Sequence, residues 1–161
     1  YEASGDHRGA EPQQRGHIEL DATLAKAIMS IGAVKAVEIG DGTLVSTKRG
    51  SENNDCYGTD ENGVPYKLTN HSGGILGGIS DGSPVFLRAS FKPTPSIAQT
   101  QSMLGRDGLC HKETIHGRHD PIIVSRAVIV VEAMTMLAIA DQLLLGMSSR
   151  IEHVKKVYDI C

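Results

Sequence analysis

The 161-residue sequence contains no tryptophan, two phenylalanines and four tyrosines, so aromatic residues make up only 4% of it. Large rings therefore cannot build the core, and aliphatic side chains have to fill it. Cysteine is scarce as well: Cys56, Cys110 and Cys161 are odd in number and share no short spacing. That excludes a disulfide framework and leaves a reduced, cytoplasmic protein as the expectation. Basic excess is missing, since 16 Lys and Arg stand against 19 Asp and Glu, a formal charge of -3. Such a balance offers no field for a nucleic acid or an anionic membrane surface. No charged-then-apolar signal segment opens the chain, and neither H-E-x-x-H nor C-x-x-C occurs. What the chain does have is 18 glycines and 40% hydrophobic residues. This suits one globular domain that buries ~70% of its unfolded surface.

Residues 1–19 are polar, rich in Gly, Gln and His, and without periodicity, which reads as an irregular N-terminal segment. Leu20, Leu24, Ile28 and Ile31 then recur at helical spacing, with Asp21 expected as N-cap and Gly32 as the stop. Val34 to Ile39 reads as a strand closed by the turn Gly40-Asp41-Gly42. Asp60-Glu61-Asn62-Gly63, within a polar stretch over 50–63, predicts a hairpin turn. In a second strand Val85, Leu87, Ala89 and Phe91 alternate with Phe86, Arg88 and Ser90, and Pro93 and Pro95 forbid further ladder pairing. Gly105-Arg106-Asp107-Gly108 predicts another hairpin, with Leu109 to Ile115 returning. Ala127 to Met147 is long enough, ~30 Å as a helix, to cross a bilayer. Glu132 and Asp141 within it cost roughly 2.5–3.5 kcal/mol each on insertion, so a buried helix of a soluble protein is expected, with no membrane. A polar helix follows over 148–158. Strands and helices mix without β-α alternation, which predicts an α+β fold.

Three segments could carry chemistry. Gly73, Gly74, Gly77 and Gly78 fit neither nucleotide-binding glycine motif, and a Walker loop would need Lys where Ile79 stands. The run serves either a tight crossing of chain segments or the close approach of backbone to a flat ligand or phosphate. Lys92-Pro93-Thr94-Pro95-Ser96 puts a cation, two hydroxyls and amides on a stiff loop. That equips it to grip a phosphate, though an ordinary strand-ending turn has the same form. Gly117-Arg118-His119-Asp120-Pro121 packs three ionisable groups ahead of the long helix. There they can bind an anion and handle a proton, or simply cap the helix. Cys110, His111, His116 and His119 follow no standard zinc spacing, so no metal is expected.

Taken together, these segments resemble the chorismate synthase family. The resemblance rests on Met29 to Lys35 followed by Val37 to Gly42, on Asn70 to Ser80, on Phe91 to Ile97, on Gly117 to Pro121, and on Arg126 to Met134. It implies the fold of that family, a β-α-β sandwich, of which residues 20–147 form the C-terminal FMN-binding part and 148–161 a helical tail. It further implies anti 1,4-elimination of phosphate from 5-enolpyruvylshikimate 3-phosphate to give chorismate. That reaction requires reduced FMN, kept reduced with NADPH or by an external reductase, and belongs to a homotetramer of the shikimate pathway.

Carried onto this sequence, the resemblance assigns Gly32, Ala33 and Gly77 to flavin contact. It assigns Lys92, Pro93, Thr94, Pro95 and Ser96 to the loop that cradles FMN and its phosphate. Arg118 becomes a cation at the flavin–substrate site, and Asp120 a catalytic carboxylate near flavin N5. The histidines held to be catalytic in the family, and most of its substrate-binding arginines, belong to an N-terminal half outside this sequence, and His7 and His17 match neither histidine. These 161 residues are thus expected to hold a flavin or phosphate without turnover of their own.

Overall fold

The computed structural model describes residues 19–119, 122–147 and 151–158. Helix α1 (Leu20–Met29) buries Leu24 and Ile28 completely, as their four-residue spacing predicts. It is capped two residues earlier than expected, with Glu19 at the N-cap and no side-chain capping bond. Asp21 lies instead in the first turn, where a carboxylate still favours the positive end of the helix. Helix α1 ends on Ser30, and the left-handed residue that redirects the chain is Ala33, with φ of 70°, rather than Gly32.

Strand β1 (Val34–Ile39) follows, then a 3-10 turn (Gly42–Thr47) and the single-turn helix α2 (Gly50–Asn53). Strands β2 (Tyr57–Thr59) and β3 (Pro65–Lys67) form the predicted hairpin over Asp60–Gly63. The very short β4 (Ile75–Leu76) and β5 (Ile79–Ser80) pair across Gly77-Gly78. Strand β6 (Leu87–Phe91) returns to pair antiparallel with β1, from Val34 opposite Phe91 to Ile39 opposite Leu87. Leu87, Ala89 and Phe91 are half-buried while Arg88 and Ser90 are exposed, so the alternation holds. Strands β7 (Thr100–Leu104) and β8 (Cys110–Thr114) form the last hairpin. Helices α3 (Val124–Met147) and α4 (Ile151–Tyr158) complete an α+β architecture.

Helix α1 packs against both β1 and α3. Leu24, Ile75 and Ala138 form the centre of the core, with Leu20, Ala27, Ile39, Val85 and Ile139 around them. This is a thin core. Helix α3 departs from the expected burial: only Ala127, Thr135 and Ala138 are buried, on one stripe, while Ile129, Leu137 and Leu144 are 65–68% exposed. Its length and apolarity suffice to cross a membrane by composition alone. Residues apolar on every face cannot all be covered by a single neighbouring helix, and α1 reaches only one side.

Candidate functional site

The antiparallel β1–β6 pair has two ends, and the chain uses them differently. At the first end the start of β1 meets the exit of β6. The Lys92 amide donates to the Ala33 carbonyl at 2.7 Å, so the left-handed Ala33 and the proline loop are stitched together. Gln101 Nε2 donates to the Pro95 carbonyl at 3.2 Å. Ser96 Oγ lies 3.0 Å from His119 Nδ1, and His119 Nε2 lies 3.0 Å from the Ile115 carbonyl. A carbonyl only accepts, so Nε2 carries the proton, and in the neutral ring Nδ1 accepts from the Ser96 hydroxyl. Thr94 Oγ1 and the Thr94 and Ser96 amides have no partner among the described residues. Lys92 and Arg118 are exposed and form no ion pair among those residues.

Gly32, Ala33, Lys92, Pro93, Thr94, Pro95 and Ser96 thus share one neighbourhood, and His119 ties the segment that bears Arg118 to it. Gly77 is set apart from them. The neighbouring Gly78 carbonyl accepts the Leu20 amide at 2.8 Å, at the start of α1, whereas Ala33 follows that helix's end. Ten helical residues separate the two points by about 15 Å. Asp120 lies outside the described residues.

At the second end of β1–β6 the chain crosses itself. Gly40 N donates to the Phe86 carbonyl at 2.9 Å, Asp41 N to the His71 carbonyl at 2.9 Å, and Phe86 N to the Gly73 carbonyl at 3.2 Å. A Cβ on Gly73 would stand 2.3 Å from Gly40 N, and one on Gly40 would stand 2.1 Å from the His71 oxygen. Gly77, with φ of 59°, is different: a Cβ there would meet nothing within 4 Å. The tight crossing therefore accounts for Gly40 and Gly73, while Gly77 sits in a hairpin turn with open space beside it.

Two ionic clusters border this end, and neither was legible in the sequence. Asp41 Oδ2 accepts from Lys48 and, at 2.7 Å, from His71 Nδ1. Those hydrogen bonds, from Lys48 first and His71 second, hold Asp41 below its ordinary value. Lys67 pairs with Asp55 at 2.9 Å and with Asp81, its side chain only 6% exposed. Burial pushes Asp55 up, but bonds from Ser72, Lys67 and the His71 and Ser72 amides outweigh it and hold the carboxyl well below the usual range. The partners lie 12 and 14 positions from Lys67, a separation no local pattern marks.

Gly78-Ile79-Ser80-Asp81-Gly82 has the spacing of a nucleophile elbow, but Ser80 ends a hairpin strand and no helix follows it. In the Cys/His group, His111 pairs with Asp107 at 2.8 Å and His119 is occupied as above. Among the described residues no three His, Cys, Asp or Glu side chains converge.

The chorismate synthase family profile matches residues 11–144. A chorismate synthase of Lachnoclostridium phytofermentans is 61% identical over 140 residues, which cover 87% of this chain and 38% of that protein. The chorismate synthase of Nitratiruptor sp. is 48% identical over 142 residues, with 88% and 38% covered. A crystal structure of chorismate synthase superposes with a TM-score of 0.61 at 31% identity, covering 88% of this chain and 35% of that one. The chain spans less than two fifths of the length of these relatives.

Proposed function

The chain belongs to the chorismate synthase family, and on that premise we propose that it forms the FMN-holding part of a chorismate synthase. The whole protein would convert 5-enolpyruvylshikimate 3-phosphate to chorismate and phosphate in the cytoplasm, as a homotetramer. One observation carries the reading: the stitching of Ala33 to Lys92 and of Ser96 to His119, which gathers three separate family motifs around one loop.

The residues fit the cofactor. Open space beside Gly77 admits a flat ring, because a Cβ there would meet no protein atom within 4 Å, and the same clearance at Gly32 lies at the loop end. The Lys92 ammonium, the Thr94 hydroxyl and the two loop amides supply cation and donors for a phosphate, and the prolines have already met part of the ordering cost. The roughly helix-long separation of Gly77 from that loop matches an extended molecule with a ring at one end and a phosphate at the other. Reduced FMN, when bound, lends electron density to an elimination that involves no net redox change. Arg118 attracts the anionic substrate with its guanidinium, and the Asp120 carboxylate handles the proton released at the same site. Thr94 orients the phosphate end, while the hydrogen bond between Ser96 and His119 keeps the Arg118 segment against the loop.

The unburied faces of α3 have a place in the same reading. We assign them to the remainder of the polypeptide, the length its relatives have and this chain does not span. The test mixes the chain with reduced FMN and 5-enolpyruvylshikimate 3-phosphate, with and without the complementary N-terminal half of a relative, and follows chorismate absorbance. Turnover is expected only with the complement. Turnover without it overturns the division of labour, and FMN binding by neither mixture overturns the cofactor reading.

A further inference from the structure

The cluster around Lys67 lies outside the phosphate loop, yet it grips both legs of the hairpin that carries Gly77. Ser72 stands just before β4, and Asp81 immediately follows β5. The Lys67 ammonium has three protons, and all are used. One goes to Asp55 Oδ2 at 2.9 Å, one to Ser72 Oγ at 2.8 Å, and one to Asp81 Oδ2. Asp55 reinforces the near leg, accepting the His71 amide at 2.6 Å through Oδ1 and the Ser72 hydroxyl at 2.6 Å through Oδ2. Asp81 reinforces the far leg by accepting the Ser83 amide at 2.9 Å. Burial alone would lower Lys67, but its bonds to Asp81 and Asp55 prevail and raise it above the ordinary lysine value. At the other extreme of the hairpin, the Gly78 carbonyl is held by Leu20 N. Base and tip are therefore each tied to a different part of the chain.

We propose that Lys67 is a positioning residue for the cofactor turn: by joining Asp55, Ser72 and Asp81 across the base of the β4–β5 hairpin, it sets where Gly77 presents its open face to a flat, anionic ligand. This rests on the flavin reading above. A tetrahedral ammonium suits three acceptors arranged around one point, whereas the planar fork of arginine does not. The backbone bond from Asp81 N to the Gly74 carbonyl, 3.1 Å long, survives loss of the cluster. The hairpin then persists while its direction loosens.

Asp81→Ala tests this most sharply, because it cuts the far leg and leaves the Lys67–Asp55 pair in place. In the full-length protein, FMN affinity is read by quenching of flavin fluorescence, and amide exchange is followed over residues 75–80. Affinity is expected to fall roughly tenfold, the scale on which supporting contacts around a bound group act. Exchange at Leu76 and Ile79, the pair that closes the hairpin, should quicken, with the far-UV spectrum unchanged. Asp81→Asn keeps an acceptor oxygen for Lys67 and should restore most of the affinity. A lowered thermal midpoint with unchanged affinity below that midpoint assigns Lys67 to stability alone and overturns the proposal. If Lys67→Met fails to fold, the two Asp81 variants still decide. If the unsubstituted protein does not bind FMN, the flavin reading has failed, and unchanged exchange in Asp81→Ala would sink the positioning role separately.

Discussion

Gly73 and Gly77 are four residues apart and belong to one glycine-dense run, yet they are glycines for opposite reasons. At Gly73 the protein leaves no room: a Cβ would be 2.3 Å from the Gly40 nitrogen, and φ is 67°. At Gly77 the backbone is also left-handed, but the space beside it is open. The first is a demand of the chain on itself. The second is a demand of the hairpin turn alone, since Gly77 has a φ of 59° and nothing stands beside it. A glycine's meaning is thus set by what stands opposite it, not by its neighbours in sequence.

Gly73→Ala should break the comparison hardest. Overpacking and left-handed strain together should cost roughly 3 kcal/mol or more, a large part of a domain's stability. Chemical denaturation checks it, and a loss near zero would mean the crossing is pliable. Gly77→Ala should cost only about 1 kcal/mol of stability, from the left-handed backbone alone. FMN binding, read by fluorescence titration, should nonetheless fall at least about tenfold, or 1.4 kcal/mol. Retained binding would remove Gly77 from the cofactor contact.

Acid offers a gentler probe. Asp55 and Asp81 are both held below their ordinary values. Their stabilisation is complete above the unfolded value near ~4 and is lost as pH falls through the folded values. Lys67 is raised, so its share is present below ~10.4 and lost only as pH climbs past its folded value. Amide protection over residues 75–80, taken relative to the slower intrinsic exchange in acid, should therefore fall below about pH 4, and a flat profile would separate the cluster from the hairpin. Smallest of all, Gly32→Ala should leave stability within about 0.5 kcal/mol, since its backbone is not left-handed and its Cβ meets nothing. Any effect should appear in flavin affinity instead, and a larger loss of stability would show that Gly32 serves the fold.

Much of this was legible beforehand. Leu20, Leu24 and Ile28 announced α1 by spacing, Asp60–Gly63 and Gly105–Gly108 announced their hairpins, and Pro93 and Pro95 marked where β6 stops. Each signal is local, needing only the residues within one turn or strand. The N-cap of α1 was read two residues late because Asp21 satisfies a capping preference and a first-turn preference alike. Ala33 escaped because a left-handed alanine has no signature in sequence; its conformation is held by the Lys92 bond. The burial expected of α3 also failed within this chain, since apolar composition says that a helix wants cover and not what supplies it.

By itself, the sequence determined the kinds of elements, their order, the family and the chemical equipment of the Lys92–Ser96 loop, all of which reside in neighbouring residues. Tertiary structure decided the rest. Pairing β1 with β6 brought Ala33 to Lys92 at one end and Gly40 to Gly73 at the other, and it sorted one glycine run into a closed crossing and an open turn. It also drew Asp55, Lys67 and Asp81 onto a single ammonium. The reason is physical: close approach and burial depend on distance in space, and that is settled only when separate segments share one core.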